Sequence, residues 1–237
     1  MSVPLLQGFM SWAPPQFVQD AHTEALKRVE ANHYQLPRGN ARLRKAISSY
    51  LSPAFRPATG GRDLDPNTEV QVTAGANEGM YAFAAAFIRP GDEVIILEPF
   101  FDQYVPQVTF NGGVPVFVPI RAPKGASEHN VPASEWKVDL DELRAAITPR
   151  TKMIFFNTPQ NPIGKVFSEE ELRGIGKVAE EHDLLILSDE VYDCLTFGGK
   201  EHVRIAALEN FWKRTVTIGS AVSLTLILAV VLERPGR

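Results

Sequence analysis

The sequence predicts an α/β fold: a mostly parallel sheet covered by helices on both faces. Three observations lead there. From Glu69 onward, short apolar runs alternate with stretches of helical spacing. The runs VIIL, MIFF and LLIL are continuously apolar, as strands buried on both faces are. The 237 residues, 44% apolar and 22% charged, suffice for one substantial core.

The elements follow in order. Residues up to Pro15 read as an irregular arm marked by proline and glycine. PPQFVQDAHTEALKRVEAN predicts a helix, with Phe17, Ala21, Ala25, Leu26 and Val29 at helical spacing. A loop through Tyr34, Pro37 and Gly39 leads to a second amphipathic helix in NARLRKAISSYL. EVQVTAG predicts a strand that hands over directly to the helix ANEGMYAFAAAFI. DEVIILEP and VPVFVPI are the next strands, followed by a charged, exposed segment through APKGASEHNVPASEWK. DLDELRAAI predicts a helix with Asp139 as its N-cap. KMIFFNTP is a strand, and SEEELRGIGKVAEEH is a helix opened by a Ser168–Glu171 capping box. LLILSDEVY and TVTIGSA complete the series.

Composition narrows function. A net charge of −4 provides no basic stripe for nucleic acid. The single cysteine, Cys194, allows no internal disulfide and fits a reducing compartment. No secretory signal is evident at the N-terminus. The apolar run from Ile218 to Leu232 is shorter than the ~20 residues of a spanning helix, so a buried strand is expected there and no membrane partner. No metal-binding cluster is predicted.

Ligands of parallel sheets bind beyond the carboxyl ends of the strands. The residues leaving those ends are therefore the site candidates: Ala76 and Asn77, Phe101, Asn157 and Asn161, Asp189 and Tyr192, and Ser220. TAGANEG aims first-turn amides outward, which suits an anion such as phosphate, although a plain tight turn reads the same way. NTPQNPIGK carries two amides on a proline-braced loop; Asn before Pro is also a routine turn starter. Asp189 ends an apolar strand, where a carboxylate either caps or is solvated, or is buried against a ring nitrogen and keeps it protonated. Tyr192 offers a hydrogen bond to a ring oxygen, and Phe101 either stacks on a ring or joins the core.

Taken together, TAGANEG, EPFFDQY, NTPQNPIGK, SDEVY and TIGSA resemble, in order and approximate spacing, the class I/II aminotransferases, which use pyridoxal 5′-phosphate (PLP). The likeness is greatest to the kynurenine aminotransferase and cysteine-conjugate β-lyase group, and it runs from about Gly8 to Ala221. The resemblance implies the large domain of a fold-type I PLP enzyme. It implies that Ala76, Asn77 and Ser220 hold the cofactor phosphate and that Phe101 stacks on the pyridine ring. Asp189 would partner the ring nitrogen. Tyr192 and Asn161 would contact the ring hydroxyl, with Asn157 beside them. Gly8 and Asn161 would meet the substrate, and Tyr34 would reach across a homodimer interface to the neighbouring phosphate. Amino-acid and 2-oxo-acid substrates follow from the same likeness.

One departure stands out. The family pattern places a lysine three residues after Ser220, where it forms a Schiff base with the cofactor and then moves the substrate proton. Here that position is Ser223, and no lysine follows Lys213. A hydroxyl forms no imine and is a poor base at neutral pH. The expectation is therefore a truncated, inactive product. Residues 1–30 would be an arm and small-domain remnant, 31–221 an incomplete PLP-binding large domain, and 222–237 an apolar tail foreign to the family. Val222-Ser223 matches a splice donor read in frame, so the tail is expected to be intron-encoded, a point that transcript sequencing decides. Alternatives are a non-catalytic PLP-binding or dimerising fragment, or a chain that does not fold stably. A dehydrogenase is disfavoured, because no G-x-G-x-x-G is present. The expected compartment is the cytoplasm, or the mitochondrion if a further N-terminal segment precedes.

Overall fold

A computed structural model describes residues 13–220. It divides into two compact units, Met1–Pro37 and Arg38–Arg237.

In the first unit, α1 spans Gln16–Leu26. The sequence predicts one helix through Asn32, but the chain breaks at Arg28, which is extended, and resumes as a 3-10 turn at Val29–Asn32. The Asn32 side chain accounts for the break: its amide donates to the carbonyls of Leu26 at 3.0 Å and Arg28 at 2.8 Å. Those bonds cap α1 and compete with its continuation.

The second unit opens with α2, Ala41–Phe55, whose Asn40 N-cap side chain accepts from the N–H groups of Arg42 and Leu43. Residues 69–75, predicted as a strand, are irregular instead. A strand needs a lateral ladder of backbone bonds. Among the described residues this segment's sideways backbone bond is Val72 N–H to the Arg38 carbonyl at 3.0 Å, while Glu69 N–H folds back onto Asp65 at 2.9 Å. The close approach requires Gly39, whose φ is +93° and where a Cβ would lie 2.4 Å from that of Val72.

The remaining elements are α3 (Ala76–Phe87), β1 (Glu93–Glu98), α4 (Tyr104–Thr109) and β2 (Val114–Arg121), then β3 (Lys137–Val138) and α5 (Leu140–Ala145). They continue with β4 (Thr151–Asn157), α6 (Glu169–Glu181), β5 (Leu185–Asp189) and β6 (Thr215–Ile218). The short helix α4, the two-residue β3 and the 3-10 turns at Ala133–Glu135, Ile205–Ala207 and Phe211–Arg214 are not foreseen in the sequence. Asp139 does cap α5, accepting from Asp141 and Glu142 N–H groups, and Ser168 and Glu171 form the expected reciprocal box on α6.

The sheet runs β3-β2-β1-β4-β5-β6, parallel throughout except for the antiparallel β3. Because side chains alternate along each strand, its two faces bury different sets. Ile95, Ile154, Phe156 and Ile186 pack with Leu143 of α5 and with Leu172, Ile175 and Val178 of α6. Val94, Ile96, Met153, Phe155, Leu187 and Val216 pack with Met80 and Phe83 of α3 and Val108 of α4. A smaller cluster joins Phe55, Leu64, Ala206 and Trp212. Each large apolar side chain buried this way contributes on the order of 1.5–3 kcal/mol. Among the described residues no helix is long and apolar enough to cross a membrane. Gly8, Ala221, Ser223 and the apolar tail lie outside the described residues.

Candidate functional site

Four consecutive parallel strands (β1, β4, β5, β6) release their chain ends on one side of the sheet, and the start of α3 lies at the same edge. A cavity of about 200 Å³ opens there. Its walls include all eight strand-exit residues: Ala76, Asn77, Phe101, Asn157, Asn161, Asp189, Tyr192 and Ser220. Met80 and Val191 also line it. Met80 lies four residues after Ala76, hence on the same helical face, a signal that was available in the sequence. Tyr34 belongs to the first unit, where it is fully exposed.

At the start of α3, Gly75 makes no side-chain cap, so no protein side chain is spent on the first-turn amides from the N-cap position. A Cβ at Gly75 would meet nothing within 4 Å, so the approach to those amides is open. The Asn77 side chain is held from behind by Gln107 of α4, whose amide donates to Asn77 Oδ1 at 2.9 Å.

Asn157 joins three segments. Its amide donates to the Asp189 carbonyl at 2.9 Å, and its Oδ1 accepts the Asn161 N–H at 2.7 Å. Its polar atoms thus serve the scaffold that presents Asn161. Gln160, between them, is buried; its amide donates to the Pro99 carbonyl and its Oε1 accepts from Ile163 N–H at 3.0 Å. The loop after β4 is therefore tied both to β5 and to the segment after β1.

Asp189 is 3% exposed. Its Oδ2 accepts from the Tyr104 hydroxyl at 2.6 Å and its Oδ1 from Val191 N–H at 3.2 Å. Burial raises its pKa to about 6; the nearby Glu190 charge adds to this, and the two hydrogen bonds oppose it. Burial, then the Asp189 charge, also raise the Tyr192 phenol above the ordinary tyrosine value, against a hydrogen bond with Asn161. Phe101 packs edge-on against Tyr104, with centroids 5.7 Å apart.

Behind Tyr192 sits a buried ion cluster. Glu190, fully buried, accepts from the Ser188 hydroxyl at 2.8 Å and from Arg204, and lies 2.9 Å from His202 Nε2. Arg204 also donates to Asp193 at 2.5 Å. Tyr104, Gln107 and Gln160 escape sequence reasoning because their partners lie 85, 30 and 61 residues away, and the Glu190 cluster because no periodicity marks a loop that folds back on itself.

The arrangement can hold an anionic group at a helix start and a flat ring beside Phe101, with a buried carboxylate available to a ring nitrogen. Among the described residues no lysine lines the cavity. Comparison with known proteins gives the same direction. Residues 3–223 match the family described as aminotransferase class I and II. The kynurenine–oxoglutarate transaminase of Dictyostelium discoideum is 42% identical over 93% of this chain and 51% of its own length. Kynurenine–oxoglutarate transaminase 3 of Mus musculus is 40% identical over 92% of the chain and 47% of its own length. Among solved structures, Bna3p from Saccharomyces cerevisiae superposes with a TM-score of 0.90 at 38% identity, covering 95% of this chain and 53% of that one. N-succinyldiaminopimelate aminotransferase from Mycobacterium tuberculosis gives 0.84 at 34% identity, covering 95% and 56%. The chain thus spans about half the length of the relatives it matches. With the strand-end cavity, the fold and the family match in agreement, this chain belongs to the class I and II aminotransferases.

Proposed function

We propose that the strand-end cavity binds pyridoxal 5′-phosphate and is the cofactor half of an aminotransferase acting on kynurenine, or on related aromatic or sulfur amino acids, with a 2-oxo acid. One observation carries the reading: eight side chains from four strand exits and the start of α3 line a single cavity around a buried aspartate. The donor set fits the cofactor. The open amides at Ala76 and Asn77, with Ser220, suit its phosphate. Phe101 suits its ring face, Asp189 its ring nitrogen, and Tyr192 with Asn161 its ring hydroxyl.

When bound, pyridoxal phosphate supplies an electron sink for negative charge developing at the substrate α-carbon. The chain's residues hold and polarise it. Asp189 would keep a proton on the ring nitrogen, and Asn161 would orient the substrate carboxylate. In a homodimer, Tyr34 of one subunit would serve the phosphate site of the other, and Gly8 would border the substrate. Ser223 stands where the family places its lysine, so the chain itself binds cofactor non-covalently and does not transaminate.

The test has two arms. Calorimetry with pyridoxamine 5′-phosphate, which lacks the aldehyde that surface lysines would capture, is expected to show one saturable site per chain. Incubation with PLP, kynurenine and 2-oxoglutarate is expected to give no turnover. Absence of binding by the folded chain overturns the cofactor reading; turnover comparable with a transaminase overturns the inactivity.

A further inference from the structure

We propose that Tyr104 is a positioning residue for the cofactor's ring nitrogen, acting through Asp189. The role rests on the cofactor reading above and is argued from the geometry of this chain. Tyr104 and Asp189 are 85 residues apart, one on α4 and one at the end of β5, yet the phenol donates to the carboxylate at 2.6 Å. Tyr104 is 2% exposed. Its ring meets Phe101 edge-on at 5.7 Å and 82°, and Phe155 edge-on at 5.8 Å and 89°. Two aromatic walls at near-right angles leave the hydroxyl little freedom to swing away from Asp189.

The other carboxylate oxygen is taken by Val191 N–H at 3.2 Å. One donor on each oxygen fixes the plane of the carboxylate. The two donors differ in kind, however. Val191 N–H comes from Asp189's own turn, whereas the phenol comes from α4 and, among the described residues, is the side chain that donates to this carboxylate.

The groups facing Asp189 decide its charge. From α4 comes Tyr104, a donor; from the turn after β5 come Glu190 and Tyr192. The Asn157 amide is spent on the Asp189 backbone carbonyl. Among the described residues no cationic side chain lines the cavity to hold Asp189 ionised. A hydrogen bond donated to a carboxylate favours its charged form, while burial disfavours it. The Tyr104 hydroxyl is thus the side chain that favours the Asp189 anion, ready to pair with a protonated ring nitrogen. A neutral Asp189 offers that nitrogen no charge.

The variant Tyr104→Phe removes one oxygen and keeps both edge contacts. Two ligands separate its roles: pyridoxamine 5′-phosphate, and its 1-deaza analogue, in which a C–H replaces the ring nitrogen. In the wild-type chain the first should bind more tightly than the second. In Y104F its affinity should fall about ten-fold or more, as expected for losing a hydrogen bond to a charged group, with the analogue unchanged. A carbon-13 titration of the Asp189 carboxyl without ligand should show its midpoint moved to higher pH in the variant. Equal losses for both ligands would make Tyr104 merely structural, and an unchanged affinity with an unchanged midpoint would also overturn the role. If the folded wild-type chain binds neither ligand, the cofactor reading fails and takes this role with it. Binding by the wild type with Y104F unaffected sinks this role alone.

Discussion

Arg204 bridges Glu190 and, through its second terminal nitrogen, Asp193 at 2.5 Å, so that one guanidinium clasps both sides of the turn carrying Tyr192. Burial works against the Arg204 charge, yet the two carboxylates together raise its pKa above the ordinary arginine value. Replacing Arg204 by Met leaves Glu190, fully buried, without a compensating arginine. An uncompensated buried charge costs on the order of 3–5 kcal/mol. Urea unfolding at neutral pH should show Arg204→Met less stable by about that amount, and Arg204→Met/Glu190→Gln should recover part of it. A single-variant loss under 1 kcal/mol would show that the cluster is solvated.

Asp189 predicts a specific pH dependence. Folded, it releases its proton at about 6; an unfolded aspartate releases it near 3.8. Between those values the folded state holds a proton that the unfolded state has lost, so this group's contribution is full below about pH 4 and declines as pH rises through 6. At about 1.4 kcal/mol per tenfold change in proton affinity, the decline amounts to about 3 kcal/mol. Asp189→Asn abolishes it. The stability difference between variant and wild type should therefore grow in the variant's favour from pH 4 to pH 7. A flat difference across that range refutes the burial argument.

Glu171 does more than complete a capping box. It accepts from Lys165 Nζ at 2.9 and 3.1 Å, and from Lys137 at 3.0 Å. Ser168→Ala should cost about 1 kcal/mol, the usual loss for an N-cap. Glu171→Ala also strands Lys165, whose side chain is wholly buried, and should cost about 3 kcal/mol or more. Chemical denaturation of the two variants side by side checks the ranking; equal losses would mean that Lys165 finds water instead.

Gly176 lies in the middle of α6, where alanine is normally favoured by about 1 kcal/mol. Here a Cβ would fall 2.3 Å from the buried Phe211 ring. Overpacking of that kind costs about 1–3 kcal/mol, so steric cost outweighs helix propensity. Gly176→Ala should lower the thermal midpoint, and a raised midpoint would show that Phe211 repacks freely.

The strand-end residues were legible in the sequence because a parallel sheet makes a simple promise: whatever polar side chain follows each apolar run emerges on the same side. Asp189 after LLIL and Ser220 after TVTIG needed no further information. The same logic could not find Tyr104, because EPFFDQY shows an aromatic cluster but not which ring turns towards a carboxylate 85 residues away. Residues 69–75 misled for a related reason. Their alternating pattern is that of a strand, but strand identity belongs to a pair, and no ladder forms beside them among the described residues. Asn32 is a third case: its break in the first helix comes from a side chain competing for carbonyls, which spacing alone does not register.

The cavity's walls are gathered from residue 76 to residue 220, with no strand end adding more than three of them. On the cofactor reading, small-molecule capture would therefore work as an assembly sensor for the second unit. It responds only after β1, β4, β5 and β6 have all settled in register, late in a topology dominated by distant pairings. A pulse of fluorescent ligand during refolding would time the closing step of the whole sheet, where a helix signal would time only its parts.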